Sequence, residues 1–413
     1  MSIKNIFYYL FFLVIVSKSF GQLSGYTSLG HGYYSNPLYS YLMQSSRASQ
    51  GYIELNYGLP LKSDLFAVKY VGSLSIFNQI QERNYYDHRI SAGYTFVFDR
   101  LSPIRLCALR DSSENEENDS LEAEAKDDST EVFDDSTSKY LSFRLKGGSR
   151  IDHSVFREFD NWHSGFAASY RLMIFDSLYL RLDNDLAIRK YYILPTLSNL
   201  TNLFSLSFGS KTSPIVNYGL SLSFGVKHFV NEYKDTLYDR FLDSNFISYQ
   251  PDELLQFTPS FYYSRKFGQV EVSGEIHYNK NFQKNARFIV PDDTTDYRYV
   301  NEDIYNESYS YEGLGGRLKY KHLLPLNIQL GLGLDVQQKH LGYAGYSLIG
   351  DTVAARRFDL RTNVDFSLSR YFEVYKNLSA ELILLAGYDR NQSNDEFNNY
   401  YLYYWLIGLG VGF

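Results

Sequence analysis

Apolar and polar residues alternate with a period of two along most of this chain. The clearest examples are residues 328–336 and 358–368, where apolar residues occupy nearly every second position. A period of two places successive side chains on opposite faces of a β-strand. Similar stretches recur from residue 53 to residue 388, so the pattern predicts an all-β protein whose strands each have one apolar and one polar face.

The connections between the predicted strands alternate between short and long. A first strand near residues 25–34 and a last one at 400–413 bring the number of predicted strands to sixteen. Connections after even-numbered strands are short, as at 176–177 and 268, whereas those after odd-numbered strands are longer and polar, as at 231–253 and 282–307. In an antiparallel sheet, this alternation predicts one rim of short turns and one rim of long loops.

The last predicted strand, residues 400–413, reads YYLYYWLIGLGVGF. Tyr404 and the three glycines lie on one face, and the other face is apolar and aromatic. This stretch resembles the closing strand of the porin-like β-barrels of Gram-negative outer membranes. The residues that carry the resemblance are Trp405, Ile407, Leu409, Val411 and Phe413.

The resemblance has consequences for architecture and location. Applied to the sixteen predicted strands, it implies a single transmembrane antiparallel β-barrel with short periplasmic turns and long outer loops. It also implies a place in the cell outer membrane, contact with membrane lipid and recognition of the terminal strand by the barrel assembly machinery. It specifies no solute, no oligomeric state and no narrower family.

Composition agrees with a membrane barrel. The chain holds 40 Tyr and 30 Phe, and such residues favour strands and the interfaces of a bilayer, where a ring can lie at the headgroup level. Only 9 Pro are present and no linker is evident, which favours one large unit. The single Cys107 cannot form an internal disulfide.

The first residues have the pattern of a secretory signal. Lys4 precedes an apolar run at 6–16, and Ser19 and Gly21 are small residues of the kind that signal peptidases require. We therefore expect residues 1–21 to be a signal peptide and residues 22–413 to form the barrel.

An acidic segment interrupts the regular alternation of connections. Residues 111–138 contain twelve acidic residues and one base, Lys126, a composition typical of a disordered, solvated insert. The segment lies where a short periplasmic turn is expected in a barrel of sixteen strands. The alternative is eighteen strands, with two more near 104–109 and 153–159, which would place the segment outside the cell.

Charged residues share the polar face of several strands. Because charges are costly on a lipid-facing surface, we expect them to point into the barrel. One interpretation is a hydrated pathway for small hydrophilic solutes; the other is a network of ion pairs that braces a non-conducting barrel, which would bind partners through its outer loops. The charges are Arg144, Lys146, Arg181, Asp183, Asp185, Arg189, Arg317, Lys319, Asp335, Arg357, Asp359, Arg361 and Asp365.

Patterns typical of enzymes are weak in this sequence. The eight His are scattered without the paired spacing of a metal site. Asp87-His88 and Asp152-His153 are the two candidates for a rim-located catalytic site, and neither has a recognisable nucleophile motif. We therefore expect no enzymatic activity, no cofactor, no metal and no nucleic-acid partner.

Overall fold

The computed structural model describes residues 22–37, 44–61, 64–98, 139–153, 157, 160–175, 177–213, 215–231, 234–239, 244–249, 252–282, 309, 311–342, 345–346, 352–354, 356–375 and 378–413. The expected signal peptide at 1–21 and the acidic segment at 111–138 lie outside these residues. Sixteen strands form a closed barrel. They are β1 (Gln22–Tyr34), β2 (Ser46–Leu61), β3 (Asp64–Phe77), β4 (Tyr85–Val97), β5 (Tyr140–Asp152), β6 (Asn161–Phe175), β7 (Leu178–Tyr191), β8 (Asn199–Ser213), β9 (Val216–Phe229), β12 (Glu253–Phe267), β13 (Val270–Asn281), β14 (Tyr311–Leu324), β15 (Ile328–Leu341), β18 (Phe358–Tyr375), β19 (Leu378–Ser393) and β20 (Tyr400–Gly412).

Small elements lie in the connections. Two hairpins, β10 (Lys234–Asp239) with β11 (Ser244–Tyr249) and β16 (Gly345–Tyr346) with β17 (Thr352–Ala354), stand outside the barrel sheet. Short 3₁₀ helices occur at Gln81–Arg83, Pro195–Leu197 and Glu396–Asn398. Within the part of the chain that the structure describes, no helix has the length and apolarity needed to cross a membrane.

Each barrel strand pairs antiparallel with its neighbours, and β20 closes the sheet on β1. In this last ladder Tyr26 lies opposite Gly412, and Tyr34 lies opposite Tyr404. The prediction of a single antiparallel barrel of sixteen strands is thereby confirmed. Eighteen strands are excluded because β4 pairs directly with β5, from Tyr85 opposite Asp152 to Val97 opposite Tyr140, which leaves no place for a strand between them.

The two rims differ as the alternation predicts. At one rim, the turn rim, strands are joined by connections as short as residues 62–63 and 268–269, and Gly268 adopts φ 63°, which glycine tolerates without strain. At the other, the loop rim, connections such as 282–310 are long. The ends of β4 and β5 that flank the acidic segment lie at the turn rim, where the Phe98 N–H donates to the Lys139 carbonyl at 2.9 Å.

The outer face of the barrel is apolar. On β20 the odd-numbered side chains from Tyr401 to Phe413 all point outward, and the exposed fraction of Leu409 reaches 63%. A continuous surface of this kind is unfavourable in water and suits contact with lipid acyl chains. The outer surface is therefore that of a membrane-spanning barrel.

Buried inner-face residues concentrate on β19, β20 and the adjoining β1. Near the loop rim, the rings of Tyr34 and Tyr404 stack with centroids 5.4 Å apart. Further from that rim, Ile383 and Leu385 of β19 pack with Leu406 of β20. This side of the lumen is filled, whereas the inner faces of β5 to β8 are mostly half-buried. The larger cluster at the loop rim contains Tyr34, Ala48, Phe77, Ile80, Tyr400, Leu402 and Tyr404.

Candidate functional site: the inner wall of the barrel

Inward-pointing side chains bond across intervening strands, which identifies the inner face. Lys146 Nζ on β5 lies 2.6 Å from Asp185 Oδ2 on β7, although β6 separates the two strands. Tyr404 on β20 donates to Asp365 on β18 at 2.8 Å across β19. Because the wall is curved, only inward side chains of strands two apart converge in this way.

The strand register places the predicted charged residues on this inner face. Arg144 is opposite Ala167, Arg189 is opposite Asn199, and Lys319 is opposite Gly333. Arg357, directly before β18, bonds to inward-facing Asp359. The remaining members occupy equivalent inward positions of their strands, namely Lys146, Arg181, Asp183, Asp185, Arg317, Asp335, Arg361 and Asp365.

Away from the loop rim, charges form half-exposed ion pairs. Arg181 Nε lies 2.9 Å from Asp183, and the two side chains are 24% and 28% exposed. Arg317 Nε lies 2.9 Å from Asp335, with 31% and 29% exposed. Such pairs join neighbouring positions of the wall rather than its opposite sides. Solvated pairs contribute little to stability, so their main effect is on the electric field inside the barrel.

At the loop rim the ion pairs are buried. Arg357 and Asp359 are in contact at 2.5 Å with 3% and 1% of their side chains exposed. Arg361 Nε lies 3.1 Å from both carboxylate oxygens of Asp389, and both side chains are almost fully buried. Removing one member of such a pair would leave an uncompensated buried charge, so these residues brace the rim.

The inner face carries further charges beyond the pore-lining candidates predicted from the sequence. Glu54 and Lys69 form a pair at 3.2 Å, and the Tyr26 hydroxyl donates to Glu381 at 2.8 Å. Asp389 belongs to the buried pair with Arg361. Glu381 and Asp389 could have been found, because they alternate with the apolar face of the predicted strand that contains Leu382 and Leu384.

The carboxylates of the two candidate catalytic pairs each bind an arginine. Asp87 points inward and pairs with Arg89, whereas His88 points outward and bonds to the Tyr70 hydroxyl at 2.8 Å. Asp152 forms an ion pair with Arg150, whose Nε lies 2.9 Å from Asp152 Oδ2. Across the described ranges, no three His, Cys, Asp or Glu side chains gather where a metal ion could be held.

Comparison with known proteins gives structural similarity only. No family model matches the chain, and no curated protein matches it either. The outer membrane protein OprD from Pseudomonas aeruginosa matches with a TM-score of 0.43 and 9% identity over 96% of this chain and 95% of that one. OpdK from the same organism gives 0.41 and 8% over 95% and 99%, and the trimeric form of OmpT from Vibrio cholerae gives 0.40 and 8% over 96% and 100%. At this identity the similarity extends to the barrel architecture alone.

Proposed function

We propose that this protein is a passive channel of the outer membrane for small hydrophilic solutes. The observation that carries the proposal is the exposure of the inner wall between the two rims. Leu203 points inward from β8, opposite Gly225, and 41% of it is exposed. An inward leucine in a filled barrel would be buried, so this part of the lumen has room for water and solutes.

The orientation follows from the two rims. In bacterial outer-membrane barrels the short turns face the periplasm and the long loops face outward. We place the turn rim in the periplasm, and with it the point where the acidic segment leaves the barrel. Membrane lipid then contacts the apolar outer face, and the barrel assembly machinery reads the terminal strand through Trp405, Ile407, Leu409, Val411 and Phe413.

The charges of the inner wall support transport of small polar solutes. Lys146 with Asp185 and Arg181 with Asp183 place opposite charges side by side. Each pair creates a local field that falls off steeply with distance in salt solution. The lumen therefore has polar walls of mixed sign along the half-exposed side, where Arg144 and Arg189 add further bases.

Single-channel conductance in planar bilayers tests the proposal. The purified protein, shown to be folded by its heat-dependent electrophoretic mobility, should give steady ohmic steps. Deletion of residues 111–138 tests whether the acidic segment lies near the conduction path. If it does, the size of the conductance steps should change in the deletion variant. Silence from folded protein would contradict the channel function.

A second candidate is a non-conducting barrel that binds a partner through its outer loops. It is favoured by the filled side of the loop rim, where Tyr34 stacks on Tyr404 and Asp389 is buried with Arg361. A closed mouth with a rigid rim would suit partner binding. Folded protein that never conducts, with or without the acidic segment, would support this function.

A further inference from the structure

Three adjacent strands carry an uncharged wall of hydroxyl groups on the inner face. The register aligns these groups in two rows, with Ser205 opposite Ser223 and Ser223 opposite Thr258 in the first row. In the second row, Ser207 is opposite Ser221, which is opposite Ser260. Neighbouring strands lie about 4.8 Å apart, so the rows form a compact grid. We call Ser205, Ser207, Ser221, Ser223, Thr258 and Ser260 the hydroxyl wall.

The hydroxyl wall is accessible and retains hydrogen-bonding capacity. All six residues are half-buried. The Oγ atoms of Ser205 and Ser223 lie 2.8 Å apart, and Ser207 donates to Ser221 at 2.9 Å. Each hydroxyl has one donor and two acceptor positions, so a pair that shares one hydrogen still offers one donor and several acceptor positions to a solute.

The hydroxyl wall is free of charge between the two rims. Inner-face positions 199–209 of β8, 217–225 of β9 and 254–264 of β12 hold no Asp, Glu, Lys or Arg. On the flanking strands, Arg181 and Asp183 of β7 pair with each other opposite Ser207 and Ser205, and Glu275 of β13 lies opposite Tyr262. An ion that leaves water gains no compensating charge from the hydroxyl wall, whereas a neutral solute can exchange its water hydrogen bonds for hydroxyl groups.

An aromatic ring borders the hydroxyl wall on the side of the turn rim. The Tyr262 hydroxyl bonds to that of Tyr179, and the two side chains reach each other over Gly209 and Gly219. A Cβ at Gly219 would lie 2.6 Å from Tyr262 Cε1, so the missing side chain is what lets the ring lie along the wall. A ring beside hydroxyl groups offers an apolar surface for C–H groups and hydrogen bonds for O–H groups.

We propose that the hydroxyl wall and Tyr262 form a weak binding track for neutral polyhydroxylated solutes, such as sugars and polyols. The proposal rests on the channel function proposed above and specifies the class of solute. A sugar presents apolar C–H faces and hydroxyl groups. On this side of the lumen, the Tyr262 ring can contact the C–H faces and the hydroxyl wall can hydrogen-bond to the hydroxyl groups. Neutral hydrogen bonds hold a solute weakly enough to release it, which conduction requires.

Uptake into proteoliposomes that contain the full chain tests the proposal. Glucose and gluconate are compared because they have similar size and differ in charge. In Ser221→Ala/Ser223→Ala we expect the ratio of glucose uptake to gluconate uptake to fall about threefold to tenfold, as hydrogen bonds of the central strand are lost. The matched control is Ser91→Ala/Ser142→Ala, which removes two inward serines of β4 and β5 and should leave the ratio unchanged.

Two outcomes would overturn the proposal, and they are distinguishable. If the wild-type protein conducts ions and the glucose to gluconate ratio is equal in wild type and S221A/S223A, the binding track is wrong and the channel function stands. If folded wild-type protein passes neither ions nor solutes, the channel function fails, and the binding track fails with it. A fall in the ratio confined to the β9 variant supports the track.

Discussion

The main chain of β20 passes so close to Gly32 of β1 that a Cβ at this position would lie 2.8 Å from the Cα of Leu406. It would lie closer still to the carbonyl oxygen of Trp405. The neighbouring atoms are backbone, so they cannot rotate away as a side chain would. This contact lies in the ladder where the last strand of the sequence meets the first, and closure of the barrel depends on it.

We therefore predict that Gly32→Ala destabilises the closed barrel. Overpacking of a tight site typically costs about 1–3 kcal/mol, and a contact with backbone belongs at the upper end of that range. The measurement is the midpoint of unfolding in guanidinium, followed by the loss of the heat-dependent electrophoretic shift. Gly51→Ala is the control, because a Cβ there comes no closer than 3.4 Å to Leu29. Equal midpoints for the two variants would contradict the prediction.

Buried and half-exposed ion pairs should differ in their contribution to stability. Asp389→Ala leaves Arg361 buried without its carboxylate partner, which is expected to lower the free energy of unfolding by about 3–5 kcal/mol. Asp335→Ala removes the partner of half-exposed Arg317 and should cost about 1 kcal/mol or less. The same guanidinium titration compares the two. The double variant Arg361→Met/Asp389→Leu should recover most of the loss, because no isolated charge remains.

The inward position of Leu203 predicts its effect on conductance. Leu203→Trp enlarges a side chain that projects into the open part of the lumen, so the unit conductance should fall. Phe204→Trp is the matched control, since Phe204 follows on the same strand and points outward. Single-channel recordings of both variants in the same salt make the comparison. A drop of equal size in both would mean that the lumen is not open at Leu203.

The pair formed by Lys146 and Asp185 should influence ion preference. Lys146→Gln leaves the Asp185 carboxylate without its neighbouring cation and should shift the channel towards cations, measured as a reversal potential in a KCl gradient. Lys146→Gln/Asp185→Asn removes both charges and should return the reversal potential to the wild-type value. Since the screening length falls from about 10 Å at 0.1 M salt to about 3 Å at 1 M, the shift should shrink as salt rises. A shift that is independent of salt would indicate a rearranged lumen instead.

The sequence by itself determined the strands, their faces and the rims. The alternation of apolar and polar residues is a local property, so it can be read from each strand's own sequence without knowing which strands are its neighbours. That is why the alternation along β18 identified Asp359, Arg361 and Asp365 as inward residues, and why β4 places Asp87 and His88 on opposite faces. The lengths of the connections are equally local, so the turn rim and the loop rim were predicted together.

Only the tertiary structure decided which strands are neighbours and which side chains meet. The direct pairing of β4 with β5 excluded a barrel of eighteen strands. The sequence pattern could not predict this pairing, because the two strands are about forty residues apart in the chain. Lys146 contacts Asp185 because the wall is curved and because the small residues Gly165 and Ala167 of the intervening strand β6 leave room for the two side chains. Arg361 and Arg181 both alternate with apolar residues in the sequence, but only the structure shows that Arg361 is buried and Arg181 is half-exposed. The rows of the hydroxyl wall likewise arise from the register of three strands, which no single strand encodes.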